Sequence, residues 1–245
     1  MTRGAGARSF TIQQYHRGGS CAITHPGAML PAMQNGRELM ENFVVFEGID
    51  GTGTTTQLNR LSRRLEGTDI AYHASCEPTP GPVGVLIRQA LSGAFVARPE
   101  TVARLFAADR GEHLYGPDGI VARTGRGQLA ISDRYFFSSL AYQGLTCGHE
   151  LPDLLNAPFP LPELLLFFEL DPEVAERRMA NRHALDIYEN LGFQRRVAEA
   201  YRTIVDSFED SGMTIARINA SATPDEVEAA VWDAVSSLVR RISGR

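Results

Sequence analysis

Short apolar runs alternate along the chain with longer segments in which apolar residues recur every three or four positions. The short runs predict strands that are buried on both faces of a sheet, and the recurring positions predict amphipathic helices. The predicted strands are 43–48, 70–76, 129–132, 163–170 and 213–219. The predicted helices are 54–66, 83–91, 100–123 as one or two helices, 136–145, 172–181, 190–210 and 224–241. This alternation predicts an α/β fold, a five-stranded parallel sheet flanked by helices on both faces in a three-layer sandwich.

Residues 1–41 show neither periodicity, and glycine and proline interrupt them. We therefore expect a flexible N-terminal extension, followed by one domain over residues 42–245. Two interpretations of the extension stay open: a targeting or regulatory segment, and a spacer that lies upstream of the true start of translation. The second is favoured, because Met29, Met33 and Met40 are alternative starts and Met40 lies just before the first apolar run.

The overall composition is that of an ordinary globular protein, with 43% hydrophobic and 22% charged residues among 245. The formal net charge is −5, so the sequence lacks the excess of positive charge that is typical of nucleic-acid-binding proteins. We therefore expect no nucleic-acid partner. No apolar run reaches the roughly 18 residues that cross a bilayer, and the N-terminus lacks a long apolar signal region. Three widely spaced cysteines fit neither a disulfide framework nor a metal site. We therefore expect a reduced, cytoplasmic protein without a membrane partner.

A glycine-rich segment, GIDGTGTT at 48–55, follows the first predicted strand and precedes a predicted helix. It fits the pattern G-x-x-x-x-G-K-[ST] except that Thr54 replaces the lysine. In this setting the backbone N–H groups point at phosphate oxygens, the helix N-terminus adds its positive dipole end, and the Thr55 hydroxyl has the position that ligates Mg²⁺. A simple glycine-rich turn is the alternative, and the strand–helix setting argues against it. The predicted phosphate-binding residues are Gly48, Ile49, Asp50, Gly51, Thr52, Gly53, Thr54, Thr55 and Thr56.

Further segments sharpen this prediction, most of them after the ends of strands, where ligands bind in parallel sheets. They are EPTPGP at 77–82, LFAADRGEH at 105–113, DRYFFSSLAYQG at 133–144, and Leu185–Asp186 with Glu189. In this order, with the glycine-rich loop, they resemble the thymidylate kinase (dTMP kinase) family over about residues 43–242. The resemblance implies a P-loop kinase domain with a lid around 181–190 and a homodimer. It also implies transfer of the ATP γ-phosphate to dTMP with Mg²⁺, giving dTDP and ADP.

The resemblance assigns roles to single residues as well. The catalytic residues would be Asp50, Arg134 and Arg182, and Mg²⁺ would be held near Thr55, Asp50 and Asp133. The dTMP-binding residues would be Glu77, Arg88, Phe106, Arg110, Arg134, Ser139, Tyr142 and Gln143. The Glu77–Pro78 segment resembles one that holds a cis peptide in the family.

Residue chemistry supports part of this assignment. The guanidinium forks of Arg88 and Arg134 suit a phosphate monoester, although a solvated helix face is the alternative for Arg88. Phe106 and Arg110 stand at i and i+4 on one helix face, where the resemblance places stacking on thymine and a donor to a base carbonyl. For Phe106 alone, core packing is the simpler interpretation. The Tyr142 ring would crowd a 2′-hydroxyl and so select deoxyribose.

Thr54 bears on catalysis, because threonine offers no charge near the β- and γ-phosphates. The chain has 24 arginines and no lysine, for which genome composition is the simplest explanation. Arg182 lies four residues before Asp186, a spacing that resembles the lid arginine of bacterial-type thymidylate kinases, and Arg178 is a second candidate. We expect Arg182, with Mg²⁺, to carry more of the charge stabilisation here.

Three functions stay open on the sequence alone. The first, and the favoured one, is an active thymidylate kinase. The second is a kinase of another deoxynucleoside monophosphate. The third is a catalytically weakened or non-catalytic nucleotide-binding homologue, which the loss of the loop lysine at Thr54 would explain.

Overall fold

Five parallel strands form the central sheet of the computed structural model, which describes residues 36–179 and 191–244. This confirms the predicted α/β architecture. The strands are β1 (Leu39–Gly48), β2 (Tyr72–Cys76), β3 (Leu129–Asp133), β4 (Leu161–Glu169) and β5 (Thr214–Asn219). The helices of the described residues are α1 (Thr54–Glu66), α2 (Pro82–Leu91), α3 (Pro99–Tyr115), α4 (Ile120–Gly125), α5 (Phe136–Cys147), α6 (Glu150–Asn156), α7 (Pro172–Met179), α8 (Leu191–Ser207) and α9 (Pro224–Ser243).

The order of the strands decides which loops meet. It is β2-β3-β1-β4-β5, and every neighbouring pair is parallel. β1 is therefore central, and Phe46 at its end pairs with Asp133 at the end of β3. Because carboxyl ends of parallel strands share one edge of the sheet, the loops after β1, β2, β3 and β4 converge there.

The core lies on both faces of β4 and of residues 42–48 of β1, whose side chains are buried almost without interruption. Such unbroken apolar runs are what a sheet covered on both faces requires. Helix α1 covers one face with Leu58, Leu61 and Leu65, the stripe that its sequence predicted. Helix α9 begins at Pro224, and the preceding Thr223 caps it through a reciprocal capping box with Glu226.

Two elements differ from the sequence-based prediction. β1 begins at Leu39, four residues before the predicted start at Phe43, and Leu39 pairs with Leu161 of β4. The early start was missed because a register shift and the polar Glu41 and Asn42 separate it from the apolar run. Helix α6 was not predicted at all, since a segment of seven residues is too short to show a period.

The predicted segment 100–123 forms two helices, α3 and α4, which are separated by residues 116–119. The predicted lid at 181–190, with Arg182, lies outside the described residues, as does most of the predicted extension. Within the described ranges no helix is both long and apolar enough to cross a membrane.

Candidate active site

The glycine-rich loop joins β1 to α1 at the centre of the sheet edge. Gly51 and Gly53 have φ angles of +85° and +89°, which glycine adopts without strain. A Cβ on Gly48 would lie 2.8 Å from the carbonyl oxygen of Phe168, so this position also requires glycine. Among the residues that the structure describes, no side chain caps the N-terminus of α1. Its first N–H groups therefore remain for an anion, as in a phosphate-binding loop.

Thr54, at the position of the missing lysine, is buried and begins α1. The two threonines that follow it are exposed. Ile49 is buried, and its carbonyl oxygen accepts a hydrogen bond from the Thr52 hydroxyl at 2.8 Å. The loop is thus held by its own backbone and side chains, and it presents no cation from within.

Thr55 and Asp133 lie together at the ends of the loop and of β3. The Thr55 hydroxyl donates to Oδ2 of Asp133 at 2.5 Å. The other carboxylate oxygen of Asp133, Oδ1, is buried and has no hydrogen-bond partner among the described residues. A hydroxyl beside a carboxylate with an unpartnered oxygen is a donor set that suits Mg²⁺, which prefers oxygen ligands and keeps several waters. These two residues therefore fit the predicted metal.

Asp50, the third predicted metal ligand, forms an ion pair with Arg134. Its Oδ1 accepts from Nη2 of Arg134 at 2.5 Å. Its Oδ2 accepts from the Tyr142 hydroxyl at 3.0 Å and from the Gln194 amide at 3.1 Å. The charge of the loop acid is thereby neutralised by Arg134, the residue directly after β3, as an acid among phosphates requires.

Arg134 is placed by an unusual backbone conformation. Its φ is +78°, a left-handed value that costs energy for a residue other than glycine and persists where surrounding structure enforces it. Its backbone N–H donates to the Phe46 carbonyl at 2.8 Å, which ties it to β1. Nη1 of its side chain then reaches the Gly48 carbonyl at 3.2 Å. The guanidinium therefore lies against the glycine-rich loop, where the sequence-based assignment expected an acceptor-binding arginine.

Glu47 is a site residue that the sequence reasoning missed. It is fully buried and accepts hydrogen bonds from the backbone N–H groups of Tyr135 and Ser138 and from the hydroxyls of Ser138 and Tyr201. Burial raises the pKa of its carboxyl to about 7, while Arg134 and these hydrogen bonds oppose the shift. The sequence did hold a signal that could have identified Glu47, because it is an acid inside the apolar run FVVFEG. Such an acid has to find partners on another element.

A second cluster surrounds Arg110, which is only 1% exposed. Its Nε and Nη2 donate to Oε2 of Glu77 at 3.0 and 2.7 Å, Nη2 also donates to Ser139 at 3.2 Å, and Nη1 donates to Asn156. These contacts use four of the five guanidinium N–H groups. Three of the predicted dTMP-binding residues, Arg110, Ser139 and Glu77, thus lie together. Asn156 was missed because it lies on the unpredicted helix α6.

Glu77 also has a second partner and an uncommon backbone. Its Oε1 lies 3.0 Å from Nδ1 of His113, whose Nε2 lies 2.9 Å from the Ser75 hydroxyl. The Glu77–Pro78 peptide is cis, in agreement with the resemblance. The carboxylate therefore joins the end of β2 to helix α3 through both of its oxygens.

The other predicted dTMP-binding residues have separate surroundings. Exposed Arg88 donates to the carbonyl oxygens of Pro78 and Thr79, the latter at 2.6 Å. Asp109, a residue that the sequence reasoning missed, holds Thr79 through its backbone N–H and hydroxyl at 2.7 and 2.6 Å. Phe106 is half-buried and packs against the small apolar cluster of Ile87, Ala90, Leu91 and Val102. Gln143 is buried on α5.

This sheet order defines a P-loop nucleotide-binding protein of the kinase type, because a glycine-rich loop follows the central strand and Arg134, directly after the neighbouring strand β3, faces that loop. The family model for thymidylate kinase matches residues 46–231. The chain therefore belongs to the thymidylate kinase family.

Individual relatives agree with this membership. The chain is 42% identical to a putative thymidylate kinase of Treponema pallidum over 168 residues, which is 68% of this chain and 80% of that protein. It is 38% identical to a probable thymidylate kinase of Pyrobaculum aerophilum over 200 residues, covering 81% and 98% of the two chains. A putative thymidylate kinase of Aeropyrum pernix is 35% identical over 201 residues, covering 81% and 94%. The predicted family and enzyme class are thus confirmed.

Proposed function

We propose that this chain is an active thymidylate kinase, which transfers the γ-phosphate of ATP to dTMP and gives dTDP and ADP. The observation that carries this is the Arg134–Asp50 pair against the glycine-rich loop. It puts a guanidinium fork, suited to a phosphate monoester, beside the place where the loop would hold the donor phosphates. Phosphoryl transfer depends mainly on such positioning and on charge stabilisation.

On the donor side, the backbone N–H groups of the loop and of the α1 N-terminus bind the phosphates of ATP. Thr55 and Asp133 would hold Mg²⁺, which would supply positive charge to neutralise the phosphate oxygens. Asp50 keeps Arg134 turned toward the loop until the acceptor phosphate competes for the guanidinium. Each of these roles uses a group that the geometry already places at the sheet edge.

On the acceptor side, Phe106 stacks on thymine, and Arg110 offers its remaining Nη1 N–H to a base carbonyl. The guanidinium of Arg110 is fixed by Glu77 and Asn156, so little rotamer freedom is lost when the base binds. Tyr142, whose hydroxyl bonds Asp50, places its ring near the sugar and disfavours a 2′-hydroxyl. Arg88 exchanges its hydrogen bond with the Thr79 carbonyl oxygen for hydrogen bonds with the acceptor phosphate.

A coupled ADP-release assay with ATP–Mg²⁺ and a panel of deoxynucleoside monophosphates tests the proposal. We expect dTMP to be preferred over dCMP, dAMP and dGMP by at least about 10³-fold in kcat/KM, because a site built to hydrogen-bond one base leaves buried groups unpaired with another. A different preferred base identifies a kinase of another deoxynucleoside monophosphate. Binding of nucleotide without any ADP release would identify a non-catalytic homologue.

We further propose that Arg182, outside the described residues, supplies charge that Thr54 cannot. Replacing Arg182 by alanine should then lower kcat by about 10²–10³-fold, in the range of an arginine that stabilises a transferring phosphoryl group. The Thr54→Lys variant should change kcat less than about tenfold, since the charge is already present. Single-turnover rates at saturating ATP and dTMP measure both.

The matched control for this test is Arg177→Ala, which removes an exposed arginine in the last turn of α7. It should leave kcat within about threefold of the wild type, as an exposed charge on a solvated helix does. Compensation by Arg182 is wrong if Thr54→Lys raises kcat by orders of magnitude while Arg182→Ala changes nothing.

We also propose the homodimer that the resemblance implies. Sedimentation at the mass of one chain, 26.8 kDa, would rule it out.

A further inference from the structure

Glu47 is an ionisable group that the proposed mechanism does not use. It lies one residue before the glycine-rich loop, and none of its surface is exposed. Burying a carboxylate costs several kcal/mol unless hydrogen bonds and a nearby cation compensate. The hydrogen-bond partners of Glu47 and the nearby Arg134 compensate the cost of burying its carboxylate.

The two oxygens of Glu47 serve different partners. Oε1 accepts from the backbone N–H groups of Tyr135 and Ser138 at 2.8 and 3.1 Å. These groups begin helix α5, which has no side-chain cap of its own. Oε1 thus caps α5 from a neighbouring strand. Oε2 accepts from the hydroxyls of Ser138 and Tyr201 at 2.7 and 2.8 Å.

The same two hydroxyls face Arg134. Nη1 of Arg134 lies 3.1 Å from the Ser138 hydroxyl and 3.3 Å from the Tyr201 hydroxyl, and the two hydroxyls lie 2.7 Å apart. Each hydroxyl has one proton, and a guanidinium can only donate. An acceptor at Oε2 draws these protons away from Arg134, so that both hydroxyl oxygens turn their lone pairs toward Nη1.

We propose that Glu47 is a positioning residue which, through the hydroxyls of Ser138 and Tyr201, holds the Arg134 guanidinium in the orientation that receives the phosphate of the acceptor nucleotide. The inference rests on the proposed function of Arg134. Nη1 is fixed from behind by the two hydroxyls, and Nη2 is directed at Asp50, the place that the acceptor phosphate takes over. Because Tyr201 belongs to α8, the network also joins this helix to the end of β3.

The Glu47→Gln variant separates positioning from capping. Its amide oxygen still accepts the two backbone N–H groups of α5, whereas its NH₂ group donates to the hydroxyls and turns their protons toward Arg134. We expect KM for dTMP to rise about 10- to 50-fold and KM for ATP to stay within about twofold, because only the acceptor arginine is disturbed. The matched control is Glu163→Gln on β4, whose carboxylate pairs with Arg241 far along the strand from the loop. It should leave both KM values unchanged.

Coupling to Arg134 distinguishes positioning from a general loss of structure. Calorimetric titration with dTMP gives Kd for the wild type, Glu47→Gln, Arg134→Ala and the double variant. If Glu47 acts through Arg134, Glu47→Gln weakens binding in the wild type and changes Kd less than about twofold in the Arg134→Ala background. Equal losses in both backgrounds overturn the proposal. Failure of the wild type to bind dTMP overturns the proposed function instead.

Tyr201→Phe is the second variant, and it decides the matter if Glu47→Gln does not fold. It removes one of the two hydroxyls that face Arg134 and leaves the helix cap intact. We expect a rise of about three- to tenfold in Kd for dTMP with an unchanged melting temperature to within a few degrees. An unchanged Kd shows that the hydroxyls do not orient Arg134 and overturns the proposal.

Discussion

Replacing Arg134 by alanine is expected to lower kcat/KM for dTMP by about 10³- to 10⁴-fold. The change removes the guanidinium beside the glycine-rich loop and leaves Asp50 without its cation among the phosphates. Loss of an arginine that stabilises a transferring phosphoryl group has costs of this order. The measurement is the coupled ADP-release assay at subsaturating dTMP.

A comparison with Arg134→Gly separates the chemistry from the backbone. Arginine and alanine both carry a Cβ at φ +78°, whereas glycine has none and adopts this conformation without strain. The free energy of unfolding, measured with urea, should therefore be about 1 kcal/mol higher for the glycine variant than for the alanine variant. Both variants should be equally inactive. Recovery of activity in Arg134→Gly, or more than a tenth of wild-type activity in Arg134→Ala, argues against a catalytic guanidinium.

The parts of the site that were predictable are those that follow from strand ends. The apolar run before Gly48 and the run before Asp133 mark two strands of a parallel sheet, and parallel strands bring their carboxyl ends to one edge. This is why Thr55, Asp133 and Arg134 were expected near one another, and they are. The local sequence pattern was sufficient to predict this proximity, because the parallel sheet alone brings the ends of these strands together.

Partners that join distant segments could not be found in this way. Glu47 binds Tyr201 across 154 residues, and Arg110 binds Asn156 across 46. Nothing near either residue in the sequence indicates which element carries its partner, since tertiary packing alone decides the pairing. Asp50 shows the same limit: its place in the loop predicted a role beside phosphate and Mg²⁺, but nothing there predicted the hydrogen bonds that Tyr142 of α5 and Gln194 of α8 donate to its carboxylate.

The Glu77→Gln variant is expected to lower the free energy of unfolding by about 3–5 kcal/mol. Arg110 and Glu77 are 1% and 2% exposed in their side chains, so the change leaves a buried guanidinium without the carboxylate that neutralises it. Glu163→Gln is the matched control. Its partner Arg241 is 34% exposed, so water can solvate the guanidinium when the carboxylate is removed. There the loss should stay below about 1 kcal/mol. Urea unfolding monitored by circular dichroism measures both variants.

Pairing Glu77→Gln with Arg110→Met then separates stability from base recognition. Methionine fills much of the arginine volume without a charge, and replacing both members of a buried ion pair is often nearly neutral. The double variant should therefore regain more than half of the lost stability. It should still bind dTMP at least about tenfold more weakly than the wild type, because the donor to the base carbonyl is gone. If the double variant binds dTMP as the wild type does, the buried pair stabilises the fold and does not recognise thymine.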